Sequence, residues 1–68
     1  MTVNPARQAL AQNHVRTARR IVARQRALVA EIRARGGDAT LSEQLLSTLE
    51  TSLTIFESDL AELQSRGP

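Results

Sequence analysis

The chain has 68 residues, 41% of them apolar, with nine basic residues against seven acidic ones and a formal net charge of +2. That length holds one small domain. The absence of Cys excludes a disulfide framework, thiol chemistry and a zinc-finger pattern, and a single Phe as the only aromatic residue removes the stacking platforms used on single-stranded nucleic acid.

The first predicted element is a helix over about residues 5–35. Met1 to Val3 are expected to fray, and Asn4-Pro5 reads as N-cap and first helical position, where proline loses no hydrogen bond. From Pro5 to Arg35 neither Gly nor another Pro interrupts a run of Ala, Arg, Gln, Leu, Val and Ile. A coiled-coil heptad fits it, with Ala11, Ala18, Gln25 and Ile32 at a and His14, Ile21 and Leu28 at d. Val15, Val22 and Val29 follow at e and widen the stripe. Gln25 is expected to fix register at some cost in stability. His14, the only histidine, has no second His or Cys beside it and is read as a seam residue hydrogen-bonded near the open end of the molecule. Ala23, Ala27, Ala30 and Ala34 form a strip of small residues on another face.

A turn is predicted at 36–38. Glycine takes the left-handed conformation that closes a helix, and Gly36-Gly37 stands where the pattern stops. Asp38 follows at once as an N-cap for a new helix, with Thr40-Leu41-Ser42-Glu43 as an alternative capping box. A helix stop next to a helix start folds the two rods back on each other.

The second helix is expected over about residues 39–65, giving a single helical-hairpin domain from 1 to 68. Its heptad places Ala39, Leu46, Leu53 and Leu60 at a and Ser42, Leu49, Phe56 and Leu63 at d. Arg66 and Gly67 supply the C-terminal charge and stop. Leu41, Leu45 and Ile55 fall off this stripe. The expected core is therefore Ile21, Leu28, Ile32, Leu46, Leu49, Leu53 and Phe56.

Charge divides between the arms. Residues 1–35 hold eight Arg and one Glu, whereas residues 38–68 hold six acidic residues and one Arg. Opposite charge favours an antiparallel pairing of the two rods and disfavours a parallel pairing of identical ones.

From His14 to Leu49 the string resembles a group of small uncharacterised helical-hairpin proteins of GC-rich proteobacteria. The likeness rests on His14-Val15, Ile21-Val22, Ala23-Arg24-Gln25, Leu28, Ile32, Gly36, Asp38 and Leu45-Leu46. The resemblance implies a hairpin and carries no activity with it.

Three functional readings follow. The first is a structural, protein-binding module: an all-α antiparallel two-helix hairpin that pairs into a four-helix bundle as a homodimer, or that binds another protein. Val15, Val22, Val29 and Leu45, on the flanks of the a/d seam, with Gln25 are its expected interface. The alternative is a small dimeric nucleic-acid-binding protein that uses Arg16, Arg19, Arg20, Arg26 and Arg33 against phosphates. An enzyme is not expected, since no acid–base pair, nucleophile, phosphate loop or metal cluster is recognisable, and neither a cofactor nor a metal is called for. No apolar run approaches the roughly 20 residues of a membrane span and no signal peptide is recognised, so the expected location is cytoplasmic.

Overall fold

The computed structural model describes residues 5–65. Two helices, α1 (Pro5–Ala34) and α2 (Thr40–Ser65), account for all regular structure among them and pack antiparallel as a hairpin. Its Cα trace measures 54 × 14 × 12 Å. Pro5 opens α1 as expected, while the fraying expected of Met1 to Val3 and the end signals expected of Asn4, Arg66 and Gly67 fall outside the described residues.

The hinge forms for the reasons its composition gives. Gly36 has φ +74°, a backbone angle that side chains disfavour, and its N–H donates to the carbonyl of Arg33 at 2.9 Å. The Gly37 N–H donates to the carbonyl of Ile32, also at 2.9 Å. These two bonds make the Schellman closure, satisfying carbonyls that the end of α1 would leave bare. Gly37 suits its place for a different reason: a Cβ there would stand 3.0 Å from the Ile32 Cγ2 and 3.3 Å from the Ile32 carbonyl oxygen, so those neighbours would have to give way by a few tenths of an ångström.

Asp38 then caps α2. Its Oδ1 accepts from the Thr40 N–H at 3.0 Å and from the Thr40 hydroxyl at 2.6 Å. Those bonds hold the Asp38 carboxyl below its ordinary pKa, because they favour the ionised form. The alternative capping box is not the one used. Thr40 donates its hydroxyl to Asp38, and the Glu43 side chain leaves the helix end to meet Arg33.

The core differs from the expected one on α1. The buried apolar residues are Val15, Val22 and Val29, only 2–5% exposed, together with Ala39 at the start of α2. Ile21 and Leu28, expected inside, are 45% and 41% exposed. Ile32, Leu46, Leu49, Leu53 and Phe56 are half-buried. So the seam of α1 is centred on heptad position e and flanked by a, and the d row looks outward.

The charge pattern fits that rotation. With Val22 central, Arg26 lies only about 40° round the helix from the seam, within reach of α2. Centring the seam between a and d would carry the same arginine about 130° away, into solvent. Small Ala and Val side chains at the contact also let the two axes approach closely, while the larger Ile21 and Leu28 are left at the surface.

Candidate protein-interaction face

The hairpin is a two-helix ribbon, and its two broad faces carry different chemistry. On one face three arginines of α1 meet three glutamates of α2. Arg19 reaches Glu57 at 2.9 Å, Arg26 reaches Glu50 at 2.7 Å, and Arg33 pairs with Glu43. Arg19 and Arg33 each present Nε and Nη2 to a single glutamate oxygen. As α1 advances by seven residues α2 retreats by seven, so the ladder repeats once per heptad and matches the antiparallel register. The arginine side chains are 61–63% exposed, and at that exposure each pair contributes less than about 1 kcal/mol. The ladder matches the observed rotation of α1 and only weakly stabilises it.

The opposite face is apolar. Ile21 stands two residues after Arg19 and five before Arg26, and Leu28 keeps the same offsets from Arg26 and Arg33. On α2, Leu45 stands two residues after Glu43 and five before Glu50. Each is therefore about 150° round its helix from the ladder. All three are large and 41–50% exposed, and Leu10, 55% exposed, lies toward the open end of the hairpin. Leu41 and Ile55, further round α2, are 80% and 56% exposed.

Two shallow, open grooves mark this face. One, of about 490 Å³, runs along α1 and is lined by Ile21, Arg24, Gln25, Ala27, Leu28 and Glu31. The other, of about 330 Å³, lies at the open end between the helices, among Leu10, Ala11, His14, Leu63 and the charged Arg7, Asp59 and Glu62. His14 packs its ring on Phe56, with centroids 5.5 Å apart and planes tilted by 49°, an aromatic contact in place of the expected hydrogen bond.

These placements redraw the expected sites. Val15, Val22 and Val29 are consumed by the hairpin's own core and are not available to a partner, because α1 presents its e row to α2. Leu45 does remain outward. Gln25 is half-buried, and its Nε2 donates to the Ser42 carbonyl at 2.9 Å, a bond between the helices of the kind expected from a register-fixing polar residue. The apolar residues that a partner would meet on α1 are Leu10, Ile21 and Leu28. For Ile21 and Leu28 the signal in the sequence was a fixed offset from the Arg row of α1, which an a/d template does not weigh.

The five arginines of the nucleic-acid reading do not act as one free cationic face. Arg19, Arg26 and Arg33 belong to the ladder. Arg16 donates to the Asn13 side chain at 3.2 Å, and Arg20 is exposed. The strip Ala23, Ala27, Ala30 and Ala34 is exposed along its length.

Among the described residues no cluster of three or more His, Asp or Glu is placed to hold a metal ion, and no helix is long and apolar enough to cross a membrane. No known protein family, curated protein or solved structure matches this chain.

Proposed function

We propose that this protein is a non-enzymatic interaction module, a helical hairpin that binds a second copy of itself to complete a four-helix bundle. The observation that carries the reading is the apolar face opposite the ladder, where Ile21, Leu28 and Leu45 stand 41–50% exposed in line along the ribbon. Surface area supports it. A compact monomer of 7.5 kDa exposes about 4,250 Å². This chain exposes 5194 Å², an excess close to the ~800 Å² that each partner of an ordinary stable complex buries. A self-complementary patch used twice about a two-fold axis is the common way to cover such a face. Covering the exposed half of each leucine or isoleucine adds about 1 kcal/mol per side chain.

Sedimentation equilibrium at micromolar concentration tests this. The expected mass is twice that of the chain, with a melting temperature that rises with concentration. Leu28→Glu should return the mass to that of one chain, since it sets a charge in the centre of the docked face. A monomer whose melting temperature ignores dilution, or a Leu28→Glu variant that stays dimeric, would show the reading to be wrong.

A further inference from the structure

Resting on that self-association, the distribution of charge specifies how the two copies meet. Two ribbons stacked face to face about a two-fold axis have two arrangements. With the axis across the helices, α1 lies on α1 of the partner and the two hinges point to opposite ends. With the axis along the helices, α1 of one copy lies on α2 of the other and both hinges sit at the same end.

The helices are electrically unlike. α1 carries seven arginines and Glu31, while α2 carries five acidic residues and no basic one. The ladder engages three of each and lies on the face turned away from the partner. Beyond it α1 keeps Arg16, Arg20 and Arg24, and Arg24 lines the groove along Ile21 and Leu28 together with Glu31, the one acidic residue of that helix. Asp59 of α2 stands on the rim of the groove at the open end. Stacking α1 on α1 would set cationic rods side by side in a region that loses water on docking, where like charge is costly. Stacking α1 on α2 gives every helix two neighbours of opposite sign and antiparallel direction.

We infer that the dimer is the second arrangement: each α1 of one copy rests on α2 of the other, and the two Gly36-Gly37 hinges lie together at one end of the bundle.

Because the chain has no cysteine, single nitroxide labels can be placed without background. Ala34→Cys marks the hinge end and Ala9→Cys the open end, and both positions are exposed. Double electron–electron resonance on the full chain, with the mass measured on the same samples, reads the arrangement. The expected result is a short distance for both labels, about 30 Å or less, as for diagonal helices of one bundle. Dilution with unlabelled chain should remove the dipolar signal. Opposed hinges with full overlap would put the Ala34 labels about 45 Å apart or more, the length of α1. Opposed hinges overlapping only near the turn would put the Ala9 labels further still. Residues 9 and 34 stand about 37 Å apart along α1, so any opposed arrangement leaves at least one label pair about 37 Å apart or more. A dimeric mass with either label beyond about 35 Å overturns this arrangement and leaves self-association standing. A monomeric mass overturns both.

Discussion

The two faces of the ribbon share one period and have opposite fates. Every seventh residue of α1 contributes an arginine to one face and a large aliphatic side chain to the other, from Arg19 with Ile21 to Arg26 with Leu28. The arginines find their glutamates within the same chain. The aliphatic side chains find no such cover and remain 41–45% exposed. The contrast separates two tasks that are often assigned to the same residues. Charge pairs match one rotation of α1 against α2 and contribute little energy. Apolar burial at Val15, Val22 and Val29 holds the hairpin, and the apolar rows left over stay exposed on the other face.

The largest expected effect comes from breaking the seam between the faces. Val22 is 2% exposed, and Val22→Asp would bury a charge with no partner. The cost is at least about 3 kcal/mol, comparable with all the stability that a domain of this size commands. Circular dichroism should show loss of most of the helix at 25 °C. By contrast Leu28→Glu should act first on the dimer. If both variants split the dimer and keep a folded monomer, Val22 is not the core of the hairpin.

Gly36→Ala is next in size. With φ at +74°, alanine there carries a left-handed backbone cost of about 1–2 kcal/mol, although a Cβ would meet no atom within 4 Å. The change touches neither face, so the melting temperature should drop while the ladder and the open face survive. An unchanged denaturation midpoint would mean that the hinge does not use this closure.

The hinge was the part of the fold most legible from sequence, and the rotation of α1 the least. Gly36 and Asp38 act through their own backbone and side-chain chemistry, so residue type alone places the turn, and both helix ends came within a residue of their expected positions. Which side of α1 faces α2 depends on both helices at once. Reading the largest residues as the inside put Ile21 and Leu28 in the core and left the valines on the flank. The antiparallel match of Arg19, Arg26 and Arg33 with Glu57, Glu50 and Glu43 held the missing information, and it appears only when one helix is read backwards against the other. The same error put Val22, which is buried, among the residues expected to meet a partner, and put Leu28, which is 41% exposed, in the core. The outward position of Leu45 survived, because α2 keeps its a/d seam.

Acid should loosen the start of α2. The Asp38 carboxyl is held below its ordinary pKa by two hydrogen bonds from Thr40. Its stabilising contribution is therefore complete at pH values above the unfolded carboxylate pKa, about 4, and is lost as the pH falls through the lower folded value. Asp38→Ala should lower stability at neutral pH and flatten that part of the acid limb. If the acid limb of Asp38→Ala runs parallel to that of the natural chain, the cap is not the group responsible.

The smallest effects belong to the ladder, and they are the ones that separate its two readings. Arg26→Glu sets two acids opposite each other, at a cost of less than about 1 kcal/mol for groups this exposed. Adding Glu50→Arg reverses the pair and should restore most of the loss, and the double-mutant cycle then gives the coupling directly. If the pair is what orients α1, the reversed pair should leave Ile21 and Leu28 on the open face, and the dimer intact. If Arg26 instead served a phosphate backbone, the reversed pair would preserve folding yet weaken binding to duplex RNA or DNA and flatten its salt dependence. Gel shifts at two salt concentrations, run beside thermal melts of the same four proteins, distinguish the outcomes. The expected result is a coupling below about 1 kcal/mol in the melts and no salt-sensitive complex in the gels. A micromolar complex of the natural chain that disappears in the folded, charge-reversed double variant would move Arg26 from the hairpin's internal ladder to a nucleic-acid surface.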